Sequence, residues 1–74
     1  MDWRERIGIN PQGCHGKACI KGTRITVSAV LDNLAAGMSP QEILVSYPTL
    51  KSEDIQAAIS YAAEIARERS LAVG

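Results

Sequence analysis

Hydrophobic positions along this chain follow two periods, a short one at the beginning and a helical one after it. Ile7, Gly8, Ile9 and Asn10 alternate until Pro11, and a second extended run lies around Ala18 to Lys21. Between the runs, Pro11 to Gly16 has the Pro, Gly and polar content of a turn. The two runs predict a hairpin with a loop of roughly seven residues, longer than the usual two to five. A lone hairpin is marginal in water, so this one must dock on other elements or pair across a dimer.

From Val27 the period becomes helical: Val27, Val30, Leu31 and Leu34 share one face. Thr26 as cap places Ile25 and Val30 in the staple positions, and Gly37 suits the left-handed position past the last turn, so a helix is predicted over 27–36. In Met38-Ser39-Pro40-Gln41-Glu42-Ile43, Ser39 caps, Pro40 takes the first helical position, Glu42 closes a capping box and Met38 staples to Ile43. Pro48 disfavours helix at Tyr47, so this second helix is short, about 40–46. A third helix, about 52–69, carries Ile55, Ala58, Ile59, Ala62, Ile65 and Ala66 as its packing face. Its start is contested: a Leu50–Ile55 staple makes Lys51 the cap, whereas cap chemistry favours Ser52. Glu53 and Asp54 at one end and Arg67 and Arg69 at the other suit the helix dipole.

The predicted architecture is a single domain over 1–74, mainly α within a small α+β class: an N-terminal ribbon or hairpin, about 7–22, then a three-helix bundle of helix-turn-helix type. Seventy-four residues bury a small core, so a homodimer or a tight complex is expected. Eight basic and eight acidic residues cancel, which removes any general attraction to nucleic acid or anionic membrane. The first twenty residues hold charges and no continuous apolar run, and no segment is long and apolar enough to span a bilayer, so a soluble cytoplasmic protein is expected. In that compartment Cys14 and Cys19, too few for a disulfide framework, are expected to be thiols.

Special residues concentrate between Gly16 and Val27. Gly22 suits a positive φ, Thr23 can close a turn through its hydroxyl, and the Arg24 fork can bind a helix C-terminus or a carboxylate such as Asp32. Lys17, Lys21 and Arg24 fall within eight residues and form the best phosphate-contact candidate, since a two-stranded ribbon can enter the major groove. At the start of the third helix Lys51 and Gln56 are the candidate DNA contacts, and Glu53 and Asp54 there repel phosphate. Catalysis finds little support. Cys14, His15 and Cys19 are one ligand short of a structural zinc site, and the adjacent Cys14 and His15 point to opposite faces of an extended segment. Gly16-Lys17 lacks the glycine six residues before the lysine and the following hydroxyl that a phosphate loop needs. No enzyme activity, metal or cofactor is expected.

Taken together, Cys14, Gly16-Lys17, Ile20-Lys21-Gly22-Thr23-Arg24-Ile25, Val27, Ala36-Gly37-Met38-Ser39, Glu42-Ile43, Tyr47-Pro48, Leu50, Glu53-Asp54-Ile55, Ala57-Ala58 and Tyr61-Ala62 resemble the DUF433 family from about Ile7 to Ala63. The departures are Ala18 and Thr26 where that family favours proline, His15 where it has glycine, and Lys51 where a capping hydroxyl is usual. The resemblance implies a homeodomain-like three-helix fold with Gly22, Thr23 and Arg24 as its structural motif. It also implies an antitoxin-like role in a type II toxin-antitoxin module, with a PIN-like nuclease toxin as partner; the basic residues named above make the chain's own operator DNA a candidate second partner. The toxin contact is expected toward the C-terminus, at Glu64, Ile65, Leu71 and Val73. The alternatives are a stand-alone DNA-binding regulator and an interaction module that binds no DNA.

Overall fold

A computed structural model describes residues 2–9 and 16–68. A 3-10 turn, Trp3–Glu5, leads into strand β1, Ile7–Ile9, which pairs antiparallel with β2, Ala18–Ile20. Three helices follow: α1, Val27–Ala35; α2, Pro40–Ser46; and α3, Ser52–Glu68. The small α+β class and the predicted element order are both present. The hairpin register places Ile7 opposite Ile20, Gly8 opposite Cys19 and Ile9 opposite Ala18.

Local chemistry sets the helix ends. The Thr26 hydroxyl accepts the Ala29 N–H at 3.1 Å, which fixes the start of α1. At its other end Gly37 has φ +98°, and the N–H groups of Gly37 and Met38 donate to Leu34 and Asn33 carbonyls at 3.0 Å each. That pair of bonds is a Schellman closure, for which glycine supplies the left-handed residue without a Cβ penalty. Helix α1 consequently ends at Ala35 with Ala36 as its cap, one residue short of the predicted span. Helix α2 has both halves of its capping box: Glu42 N–H donates to Ser39 Oγ at 3.2 Å, and Ser39 N–H donates to Glu42 Oε1 at 2.8 Å.

At α3 the contest between caps resolves toward Lys51. The helix begins at Ser52, and the Lys51 N–H donates to Asp54 Oδ2 at 2.9 Å. A lysine has no side-chain acceptor for a helix N-terminus, and the carboxylate one turn in holds the cap residue instead. Leu50 and Ile55, the staple pair, are both buried.

The core consists of Ile7, Ile20, Val27, Val30, Ile43, Leu50, Ile55, Ala57 and Ala58, with Trp3, Leu31, Leu34, Met38 and Tyr61 among the side chains packed on it. The buried face of α3 is rotated from the predicted one. Ala57 is fully buried whereas Ile59 is 41% exposed, and Ala66 is exposed as well. The cause is Asp54, an acid that pattern reading puts outside. It is buried in an ion pair with Arg6, Nε to Oδ1 at 2.7 Å, and this turns the Asp54–Ala57–Ala58–Tyr61 side inward. Burying a carboxylate requires such a partner.

A second long-range clamp ties the N-terminus to α3. The Trp3 indole donates to Glu64 Oε2 at 2.9 Å and meets the Tyr61 ring edge-on, with centroids 4.9 Å apart. The Arg4 guanidinium lies 4.6 Å from the Trp3 ring centroid and pairs with Glu64 at 3.3 Å. The expectation of two thiols is corrected at Cys19, which is disulfide-bonded. Cysteine number and compartment do not decide whether a thiol is oxidised where the fold brings sulfurs together; Cys14 lies outside the described residues. Among the described residues no helix is long and apolar enough to cross a membrane.

Candidate functional site

The segment from Ile20 to Thr26 links the hairpin to α1, and its geometry follows from three consecutive residues. Gly22 has φ +80°, a conformation that L side chains rarely adopt. Thr23 then closes the bend twice through one hydroxyl, which donates to the Ile20 carbonyl at 2.8 Å and accepts the Ile25 N–H at 3.0 Å. Backbone bonds from Thr23 to Ile20 and from Ile20 to Ile25 complete the loop. Gly22 and Thr23 therefore act within the chain.

Arg24 does not. Its side chain is exposed and makes no hydrogen bond or ion pair among the described residues, so the expected contact with Asp32 is absent. The bend points the guanidinium outward because Thr23 and Ile25 on either side are held by the bonds just described. A rigid turn that displays an unpaired guanidinium is suited to a carboxylate or phosphate on another molecule.

The other two members of the predicted basic cluster divide. Lys21 Nζ donates to the Arg4 carbonyl at 3.0 Å, and its aliphatic stem lies over Gly8, where an added Cβ would sit 3.5 Å from Cγ and Cε. It belongs chiefly to the fold. Lys17 is exposed on the rim of an open groove of about 470 Å³ lined by Ile9, Ala18, Val27, Leu31 and Tyr61, with Gly16 and Ser28 at its edge. Among the described residues no carboxylate lines that groove. It forms where the hairpin lies beside the first turns of α1, and Ile9 there is 65% exposed.

At the start of α3, Lys51 and Gln56 are exposed as predicted for nucleic-acid contacts. Beside them the Glu53 carboxylate is exposed and held below the usual glutamate range, first by its own backbone N–H at the helix start and then by the Ser52 hydroxyl. The Glu53 carboxylate therefore stands ionised beside the Lys51 ammonium, while Asp54 is neutralised by Arg6. Arg6 is held in the opposite direction, its pKa raised by the hydrogen bond to Asp54.

The expected toxin-contact residues are distributed differently again. Glu64 is engaged by Trp3 and Arg4, Ile65 is half-buried, and Leu71 and Val73 lie outside the described residues. Sequence reading missed Arg6, Asp54, Trp3 and Glu64 as a set of clamps. The bonded partners are 48 and 61 residues apart, beyond the reach of any local pattern. Among the described residues no three His, Cys, Asp or Glu side chains form a group that could hold a metal ion.

Comparison with known proteins agrees with this framework. The model of the family described as "Protein of unknown function (DUF433)" matches residues 7–62, which includes the hairpin, the Gly22–Arg24 turn and most of α3. A crystal structure of a DUF433 member protein from Anabaena variabilis ATCC 29413 is 36% identical and superposes with a TM-score of 0.73, covering 89% of this chain and 69% of that one. No curated protein matches the chain.

Proposed function

Because the chain belongs to the DUF433 family, whose description names no activity, we propose from its own surface that it works by binding, as an antitoxin-like protein that engages a PIN-like nuclease toxin. The observation that carries this reading is the division of labour in the bend: Gly22 and Thr23 hold the backbone, and Arg24 is left facing outward. Lys17, at the opposite end of β2 from this bend, adds a second outward cation beside an apolar groove. A guanidinium set on a rigid turn is a fitting group to meet a carboxylate on such a partner. The protein acts as a homodimer, without catalysis, metal or cofactor.

Operator DNA is the second proposed partner. Lys17 and Arg24 favour it, doubled by a dimer, while Glu53 at the head of α3 argues against that helix entering a groove. If DNA is bound, the hairpin and its bend make the contact, not α3.

The test is co-expression with the nuclease product of the neighbouring reading frame, followed by co-purification. We expect a fixed-ratio complex that Arg24→Glu weakens at least tenfold with an unchanged melting temperature. Promoter binding by the free protein at moderate salt, with no affinity for the nuclease, would support the stand-alone regulator instead.

A further inference from the structure

The inward side of α3 carries Asp54, Ile55, Ala57 and Ala58, all buried, so at 3.6 residues per turn the opposite side carries Gln56, Ile59, Ala63 and Ala66. All four are exposed. Spaced three and four apart, they form a seam of the heptad kind, and Ile59, 41% exposed, is its one large apolar side chain. None of the four is charged. The charges stand at the ends: Glu53 in the first turn and Arg67 in the last lie two heptads apart, on the same flank of the seam. Both are exposed, and neither makes an ion pair among the described residues.

A neutral face with an anion at one end and a cation at the other is complemented by an antiparallel copy of itself, because each charge then meets its opposite. A parallel copy would set like against like. We propose that this face of α3 packs antiparallel on the same face of a second copy of the chain, about a two-fold axis level with Tyr61. This inference rests on the dimer reading above and goes beyond it by assigning the surface, the direction and the register.

In that register Ile59 packs on the partner's Ala63 and Gln56 lies beside the partner's Ala66, with the reverse pairs generated by symmetry. Each large side chain meets a small one, and the alanines let the helix axes approach to about 8 Å. The partner's Arg67 is offset from the level of Glu53 by two residues, about 3 Å along the axis, a gap that its long stem spans. The two-fold makes this ion pair twice. Arg67 and the partner's Arg67 stay about 18 Å apart along the axis, so no like-charge repulsion opposes the contact. Lys51 precedes the helix and stays outside the paired stretch. The pairing also takes Gln56 out of reach of a DNA groove, which leaves the hairpin and its bend for that role. An isologous contact of this type closes on itself and does not propagate.

The experiment is sedimentation equilibrium of the full chain over a concentration series, with Ile59→Ser, Glu53→Arg and Arg67→Glu as variants. Wild type is expected to reach twice the 7.9 kDa chain mass, and each variant to dissociate at least tenfold more readily with the same helical circular dichroism. Mixed in equal amounts, the two charge variants are expected to regain a dimer, because one chain then brings both arginines and the other both glutamates. A folding defect cannot produce that rescue, so the mixture decides the matter even if Ile59→Ser loosens the fold. Weakened charge variants that stay apart on mixing overturn the antiparallel pairing. A dimer indifferent to all three substitutions overturns this surface while leaving the dimer reading intact, and a monomer at every concentration overturns both. A monomeric chain whose Ile59→Ser variant no longer co-purifies with the nuclease would give the face to the nuclease, and the second-copy proposal falls.

Discussion

Asp54 is the residue whose removal should reveal most about how this small fold is held. Its side chain is 7% exposed, accepts the Arg6 Nε–H at 2.7 Å and accepts the Lys51 N–H at 2.9 Å. Asp54→Ala deletes both bonds. Loss of a capping interaction costs about 1 kcal/mol, and loss of a hydrogen bond between charged groups about 1.5–3 kcal/mol. Because the Arg6 side chain is 30% exposed, water recovers part of its solvation, and the lower end of that second range applies. The sum is about 2.5 kcal/mol, against a total of roughly 4–11 kcal/mol for a chain of this length. For a domain of this size each kcal/mol moves the midpoint by about 4–8 °C, so a fall of about 10–20 °C is expected. Urea titration should show a lower midpoint at unchanged slope. In a double-mutant cycle, Arg6→Ala should add little once Asp54 is gone. A loss under about 0.5 kcal/mol, the scale of an ordinary surface substitution, or strict additivity of the two changes, would refute the claim that this pair fixes the face α3 presents.

Three further outcomes follow from the geometry. Gly22→Ala should destabilise by about 1–2 kcal/mol, the cost of a left-handed L-residue, and Thr23→Val by a similar amount through two lost hydroxyl bonds, about 1 kcal/mol each, whereas Arg24→Ala should leave the melting curve in place; thermal denaturation of the three variants separates them. Glu42 is held below its ordinary pKa, first by the Ser39 backbone N–H, so its contribution is complete above the unfolded value of about 4.3 and is lost as pH falls through the lowered folded-state value. In Glu42→Gln that part of the acid-side decline in midpoint should be missing. Trp3 is the sole tryptophan, and its indole is bonded to Glu64, so Glu64→Ala should red-shift its emission as the clamp loosens, with the helical signal unchanged; an unmoved spectrum would mean that the clamp does not hold in solution.

Much of the frame was legible along the chain because it is local. The Thr26 and Ser39 caps, the Pro40 start, the Gly37 exit and the positive φ at Gly22 depend on residues within one or two turns of each other, and each formed as its chemistry required. The Leu50–Ile55 staple likewise located the start of α3 better than the hydroxyl at Ser52 did. The predicted functional residues fared less evenly for a related reason. Lys17, Lys21 and Arg24 are neighbours in sequence, yet one of them reaches back to the Arg4 carbonyl and only the other two remain on offer. Glu64, which looked like a free acid on a helix, is held by an indole from the opposite end of the chain.

By itself, then, the sequence determined the element order, most of the helix ends and the positive-φ bend at Gly22, since each is governed by backbone stereochemistry and bonds spanning a few residues. Tertiary structure alone decided that Asp54 is a core residue, that Ile59 faces water, that Glu64 is occupied and that Arg24 is left without a partner among the described residues. Those outcomes depend on which distant groups meet. A carboxylate can enter a core only where a guanidinium arrives from elsewhere to meet it, and no periodicity in the chain records that arrival.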